Sequence, residues 1–322
     1  MNKPELSRNL SLRLASKIGA MEISKVILFY GFTPLKDPEA IKVWQKNLCQ
    51  SLNLTGRIIV SPHGINGTLG GDMTDLKKYI KQSKSYSGFN KIKFKWSDGT
   101  GQDFPKLSVK VRPELVAFGY PDEIKVDENG VVDGGVHLKP FEVDKLVSER
   151  GEDVVFFDGR NAYEAKVGKF KNAVVPNVET SRDFVKEIES GKYDHLKEKP
   201  VITYCTGGIR CEVLSAVMKN RGFKEVYQID GGIFTYGQKY RDSSHWEGSL
   251  YTFDNRMSIE FSDKYKKIAN CEKCEAPAYR FYDCPKAPCN SLNLLCENCA
   301  KKMNNEICTH PQRKYSNAEL IG

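Results

Sequence analysis

The chain has 322 residues, which is enough for two or three domains with buried cores. Its formal net charge is +8 and its pI is near 8.8, a surplus that suits a polyanionic partner such as RNA without establishing one. No apolar run approaches the roughly 20 residues that cross a bilayer, so we expect no membrane partner. Residues 1–23 contain Arg, Lys and Ser without an apolar core, so we expect a frayed N-terminal arm on a cytoplasmic protein, with a weak organellar presequence as the alternative.

Residues 24–120 predict a first domain of the α+β class. The order of the predicted elements is β-α-β-β-α-β, which is typical of a ferredoxin-like sandwich. A proline at position 38 favours the start of the first helix, and Asp72 or Thr74 can cap the second. The predicted strands are Val26–Tyr30, Arg57–Val60, the stretch 61–70, Ile92–Trp96 and Leu107–Phe118.

A glycine-rich turn at residues 63–67 of this domain has two interpretations. In the first, the turn is a substrate loop in which His63 and Asn66 are polar contacts. In the second, it is a hairpin turn with an incidental histidine. Basic residues with interleaved aromatics follow in residues 91–112, and they indicate either an RNA surface or one solvated strand face.

Residues 121–136 are rich in Pro, Asp, Glu and Gly and predict a linker. Residues 137–246 then alternate short apolar strands with helices, which predicts a parallel α/β sheet. Ligands of open parallel sheets bind at the carboxyl ends of the strands, and the strand Val201–Tyr204 ends directly at Cys205.

The loop after this strand has the composition of an anion cradle around a nucleophilic thiol. Gly207 and Gly208 permit a tight curl with inward-facing amides, and a helix follows from about Arg210. Amides, a helix N-terminus and a guanidinium all favour the thiolate, so we expect the pKa of Cys205 to lie below that of a free thiol. A buried packing cysteine is the alternative interpretation. We take Cys205 and Arg210 as the catalytic candidates, and the loop residues between them are Thr206, Gly207, Gly208 and Ile209.

This domain resembles the rhodanese family, whose cysteine carries sulfur as a persulfide. The resemblance is carried by the stretches Asp158–Glu164, Cys205–Arg210 and Gly222–Gly232. It implies supporting roles for Asp158 and Arg160, which could equally form only a structural salt bridge. Cys211 could resolve a persulfide by forming a disulfide, or it could be a small packing residue.

Residues 247–322 predict a small cysteine-rich module, because seven of the ten cysteines lie between Cys271 and Cys308. Two Cys-x2-Cys pairs separated by 21 residues favour a four-cysteine zinc ribbon, and free thiols or disulfides are the alternative. The candidate ligands of this structural zinc are Cys271, Cys274, Cys296 and Cys299. The remaining candidates could make a second or shuffled site, and they are Cys284, Cys289, Cys308 and His310.

Taken together, the three parts resemble the rhodanese-domain tRNA uridine(34) hydroxylase family. The resemblance is carried by residues 30–32, 61–68, 112–116 and 158–164 with the sulfur loop and the cysteine-rich tail. It implies a tRNA partner, O2 as co-substrate, and conversion of the wobble uridine to 5-hydroxyuridine. We find neither a dinucleotide fingerprint nor a two-His-one-carboxylate arrangement in the sequence. A persulfide sulfurtransferase and a non-catalytic binding module are the competing hypotheses.

Overall fold

The computed structural model describes residues 23–241, 245–286, 289 and 291–303. Nearly all of the predicted N-terminal arm, together with Cys308 and His310, lies outside these residues. Within the described part of the chain, no helix is long and apolar enough to cross a membrane.

The first domain is one five-stranded sheet with two helices on one face. The sheet order is β4-β1-β3-β2-β5, in which β1 pairs antiparallel with β3 and β4, β2 pairs antiparallel with β3, and β5 pairs parallel with β2. The strands β4-β1-β3-β2 have the ferredoxin-like order that the sequence predicts, and β5 is added at the edge next to β2. The elements are β1 (Ser24–Phe32), α1 (Pro38–Ser51), β2 (Thr55–Ser61), β3 (Gly64–Asp72), α2 (Met73–Lys84), β4 (Lys93–Asp98) and β5 (Leu107–Val111).

Two sequence expectations about this domain need refinement. The last strand ends at Val111 instead of continuing to Phe118, because Pro113 cannot donate to a sheet ladder. Asp72, not Thr74, caps α2, since its carboxylate accepts from the Thr74 amide at 2.7 Å.

Strand alternation gives the first sheet two different faces. Ile27 and Phe29 point into the core beneath the helices, where both are at most 1% exposed. Val26, Leu28 and Tyr30 alternate with them and point to the opposite face. That opposite face meets the second domain.

The segment after β5 passes through a small hairpin into a four-stranded parallel sheet of order β8-β12-β11-β9. Every residue of β11 is buried, as expected for a central strand covered on both faces. The hairpin is β6 (Val126–Asp127) and β7 (Gly130–Val131). The further elements are β8 (Val136–Leu138), α3 (Pro140–Arg150), β9 (Val155–Asp158), α4 (Ala162–Ala165), β10 (Gly168–Phe170), α5 (Phe184–Glu189), β11 (Pro200–Tyr204), α6 (Ile209–Asn220), β12 (Glu225–Ile229) and α7 (Gly232–Tyr240).

The C-terminal module consists of short antiparallel pairs and one helix. Its first strand, β13, pairs with β10 of the parallel-sheet domain, so the module is anchored directly behind that domain. Its elements are β13 (Trp246–Gly248), β14 (Leu250–Tyr251), β15 (Ser258–Ile259), β16 (Ala269–Asn270), β17 (Pro277–Ala278), β18 (Phe281–Asp283), β19 (Leu292–Leu294) and α8 (Glu297–Met303).

Candidate active site

Cys205 lies directly after β11, at the carboxyl end of the parallel sheet. The Gly208 amide donates to its Sγ at 3.2 Å. Two amides at the start of α7 also hold the loop, because Ile233 donates to the Cys205 carbonyl at 2.9 Å and Phe234 to the Thr206 carbonyl at 3.0 Å. The loop is therefore fixed by the helix that follows the next strand.

Glycine is required at both loop positions because the loop backbone closely approaches the first domain. Gly208 has a φ of 104°, in the left-handed region, and a Cβ there would lie 2.8 Å from the Tyr30 hydroxyl. A Cβ on Gly207 would lie 2.5 Å from Cδ2 of Leu28. The sulfur loop thus packs directly against β1.

The environment of Cys205 favours the thiolate, as the sequence predicts. Burial opposes ionisation, but hydrogen bonding from the Cys211 thiol, the charge of Arg210 and nearby amides together lower the pKa of Cys205. Burial and the adjacent Cys205 sulfur raise the pKa of Cys211, which stays a thiol. Cys49, buried in the first domain without such donors, has its pKa raised by burial to about 12.

Cys205 is less exposed than the sequence suggests. A reactive nucleophile is expected to be accessible, but Cys205 is only 1% exposed. It lines a cavity of about 180 Å³ that is enclosed between the first sheet, the sulfur loop and the start of the C-terminal module. A reactant must therefore enter this cavity to reach the sulfur.

Arg210 is held by a carboxylate whose role the sequence analysis did not recognise. Its guanidinium forms a bidentate pair with Glu164 at 2.5 and 2.9 Å and donates to the Thr206 hydroxyl at 3.2 Å. Glu164 is fully buried and also accepts from the Asn161 amide. The sequence contains two signals for Glu164: it ends the stretch Asp158–Glu164 that carries the rhodanese resemblance, and the spacing Asn-x-x-Glu indicates a capping box. Neither signal identifies Arg210 as its partner.

Asp158 and Arg160 form a second buried ion pair, and both side chains are 0% exposed. Arg160 donates to the two carboxylate oxygens of Asp158 at 2.9 and 2.6 Å and to the Gly168 carbonyl at 2.7 Å. Its guanidinium stacks on Tyr204, the residue that precedes Cys205, and on Trp246. The pair therefore supports the sulfur loop from beneath.

The two candidate contacts from the glycine-rich turn lie in different places. Asn66 lines the cavity with Cys205, and its amide donates to the Leu115 carbonyl at 3.3 Å. His63 lies at the β2–β3 turn outside the residues that line this cavity, and burial lowers its pKa.

Two further residues near the loop were also missed. Lys95, interpreted from sequence as one of a row of basic residues, donates to the Gly207 carbonyl at 2.9 Å. Burial lowers the pKa of Lys95 to about 8. Glu212, in the first turn of α6, is 7% exposed and accepts from the Tyr30 hydroxyl at 3.0 Å.

The four predicted zinc ligands converge in the C-terminal module. The sulfur atoms of Cys271, Cys274, Cys296 and Cys299 all lie within 4.8 Å of one another. Cys274 Sγ lies 3.6 Å from that of Cys296 and 3.5 Å from that of Cys299. A tetrahedral zinc with bonds of about 2.3 Å requires sulfur separations of roughly 3.8 Å, so this donor set fits the ion.

The cysteine loop at the carboxyl end of the parallel sheet fits the rhodanese type that the sequence resembles, and the family models match this type. Residues 142–239 match the rhodanese-like domain, residues 24–115 the UPF0176 acylphosphatase-like domain, and residues 247–312 the rhodanase C-terminal region. The chain belongs to the tRNA uridine(34) hydroxylase family, as its curated relatives establish.

Two curated relatives and one solved structure are similar to this chain. The tRNA uridine(34) hydroxylase of Corynebacterium glutamicum strain ATCC 13032 is 61% identical over 89% of this chain and 93% of its own length. The enzyme of that name from Corynebacterium jeikeium is 58% identical over 93% of this chain and 97% of its own length. The solution structure of a rhodanese-like domain from Anabaena sp. is 17% identical, covers 35% of this chain and 78% of its own, and has a TM-score of 0.29.

Proposed function

We propose that this protein hydroxylates the wobble uridine, position 34, of tRNA at C5, with O2 as the source of oxygen. The observation that carries the proposal is the placement of an acidified Cys205 inside a cavity that three parts of the chain enclose. The curated relatives bear the name of this activity. Because the proposed substrate is tRNA, we also propose a cytoplasmic location.

The size of the cavity supports a single base as its occupant. Its volume of about 180 Å³ is smaller than the roughly 300–1,000 Å³ of pockets that take drug-sized ligands. Enzymes that act on a base commonly bind it outside the stack, in a closely fitting pocket. Asn66 offers an amide on the cavity wall for the base edge.

Charge at the same cavity supports a polynucleotide as the source of that base. Arg57, Lys110, Arg112 and Arg256 line it, and Asp254 is the acidic residue among its lining. Arg57 and Arg256 are engaged in hydrogen bonds within the protein. Lys110 and Arg112 are exposed, which leaves them able to contact phosphates.

The chemistry assigned to this site begins with nucleophilic addition. The Cys205 thiolate adds to C6 of the uracil ring, which makes C5 electron-rich towards O2. The amide of Gly208 and the charge of Arg210 stabilise the sulfur before addition and after release. The buried pair Asp158–Arg160 holds the loop in place. The other loop residues are Thr206, Gly207 and Ile209, and the thiol of Cys211 packs beside the loop.

In the direct test, tRNA from a strain that lacks this gene is incubated with the purified protein in air. The tRNA is then analysed by nucleoside mass spectrometry. The net reaction takes up O2, two electrons and two protons and releases water, so the assay includes a dithiol reductant. We expect 5-hydroxyuridine to appear, and a matched transcript with cytidine at position 34 to stay unmodified. Turnover of thiosulfate with cyanide without any 5-hydroxyuridine would instead establish a sulfurtransferase.

We also propose that Cys271, Cys274, Cys296 and Cys299 bind one structural zinc ion. Elemental analysis of the purified protein should give about one zinc per chain, because four thiolates close the coordination sphere. Cys274→Ser should lose most of this zinc, whereas Cys284→Ser, a buried cysteine outside the cluster, should keep it. Less than half an equivalent of zinc in the unaltered protein would contradict the assignment.

A further inference from the structure

A chain of polar contacts connects the sulfur loop to the protein surface and has no part in the mechanism above. The Tyr30 hydroxyl donates to Oε1 of Glu212 at 3.0 Å. Oε2 of Glu212 accepts from the Gln228 amide at 3.0 Å and lies 3.3 Å from Nε2 of His137. The His137 side chain is 46% exposed, whereas that of Glu212 is 9% exposed.

Tyr30 is the inner end of this series of contacts and lies where two cavities meet. It lines the cavity that contains Cys205, and it also lines a second, larger cleft that contains Glu212 and His137. A Cβ on Gly208 would lie 2.8 Å from the Tyr30 hydroxyl, and the amide of the same Gly208 donates to the Cys205 sulfur. Lys95 Nζ lies 4.8 Å from the centre of the Tyr30 ring and fixes the ring from the other side.

The outer end of the chain is arranged so that it can hold or release one proton. Nε2 of Gln228 and Nε2 of His137 are 2.5 Å apart. When the imidazole is neutral at Nε2, the Gln228 amide donates to it. When the imidazole is protonated there, its N–H donates to Glu212 instead. In the protonated state the Gln228 amide directs its two N–H groups to Glu212 and to the Gly135 carbonyl, which also lie within its reach.

We propose that Tyr30 is the group that removes the C5 proton of the hydroxylated adduct, and that Glu212 and His137 conduct this proton to the solvent. The proposal rests on the proposed function and on addition of Cys205 to C6. In the step, the C5–H bond breaks and its electron pair forms the C5=C6 double bond, while the C6–S bond breaks and Cys205 leaves as thiolate. The Tyr30 oxygen takes the proton as its own proton passes to Glu212, and His137 then accepts it from Glu212.

This assignment fixes the direction of a pH dependence. The hydrogen bond to Glu212 raises the pKa of His137 above its ordinary value of 6.5. The charged groups that face His137 are Glu212 on α6, Asp230 after β12 and Lys93 on β4, the last two being paired with each other at 2.7 Å. Because only neutral His137 can accept a proton, release of the adduct speeds up as the pH rises through this raised pKa.

Tyr30→Phe tests the proposal, since it keeps the ring and its contact with Lys95. We expect a fall in turnover of about a hundredfold with an unchanged KM. A covalent protein–tRNA adduct should accumulate, visible as a retarded band on a denaturing gel. Glu212→Gln should accumulate the same adduct and lose the pH dependence. His195→Gln, an exposed histidine on a separate turn, should behave like the unaltered protein in both respects.

Different results overturn different claims. If the unaltered protein forms no 5-hydroxyuridine, the proposed function fails. If the unaltered protein is active, two results would show that Tyr30 does not remove the proton: Tyr30→Phe turns over at the same rate, or it turns over more slowly without accumulating the protein–tRNA adduct. In either case the proposed function would stand. An unchanged pH profile in Glu212→Gln would remove Glu212 and His137 from the route.

Discussion

Cys205→Ser should abolish formation of 5-hydroxyuridine, with a loss of at least roughly a thousandfold in turnover. A serine hydroxyl at this position stays protonated near neutral pH, so the amide of Gly208 and the charge of Arg210 have no anion to stabilise. The protein should remain folded, because oxygen for sulfur is a small change of volume. Nucleoside mass spectrometry of tRNA treated with the variant measures the result.

The matched control for this experiment is Cys49→Ala. Cys49 is buried in the core of the first domain, and burial raises the pKa of its thiol to about 12. Cys49 is therefore not a nucleophile near neutral pH, and its removal should not affect the chemistry. We expect this variant to lose some stability and to keep full hydroxylation activity per folded molecule. Full activity in Cys205→Ser would show that the sulfur takes no part in the chemistry.

Asp158→Asn should destabilise the protein by about 3–5 kcal/mol in the free energy of unfolding. Both partners of the Asp158–Arg160 pair are 0% exposed, so the neutral amide leaves a buried guanidinium without its counter-charge. The equilibrium unfolding of the variant in urea, followed by circular dichroism, measures this loss. Because Arg160 stacks on Tyr204, the residue before Cys205, activity should fall as well.

Glu39→Gln is the control for the ion-pair effect. Glu39 pairs with Lys42 at 2.8 Å on the surface of α1, where both side chains are partly or largely exposed. Exposed pairs contribute little, so the change should stay within about 0.5 kcal/mol. A loss in Asp158→Asn no larger than that in Glu39→Gln would mean that solvent reaches the buried pair.

The local patterns of this chain predict more of its fold than of its site. The apolar strand Val201–Tyr204 followed by glycines and a helical repeat places Cys205 correctly, because backbone preferences act over a few neighbouring residues. The pairing of Arg210 with Glu164 joins residues 46 positions apart, and that of Tyr30 with Glu212 joins residues 182 apart. Contacts of that kind depend on how the domains pack, which residue periodicity does not encode.

The same limit explains the unexpected burial of the sulfur. The loop composition indicates a thiol with converging amides, and the structure contains that arrangement. The loop composition does not reveal that β1 of the first domain lies over the loop, with Leu28 against Gly207 and Tyr30 against Gly208. Lys95 was interpreted as part of either an RNA surface or a solvated strand face for the same reason, since its partner is a carbonyl of another domain.

The C-terminal module reaches back across the molecule to the first domain. Arg256 donates to the Ser97 hydroxyl at 2.7 Å and to the Asp98 carbonyl at 2.8 Å, while the Asn255 amide donates to the Asp103 carbonyl at 3.0 Å. These contacts close the third wall of the chamber around the reactive sulfur. Access to Cys205 therefore depends on the assembly of all three parts of the chain and not on the sulfur loop alone.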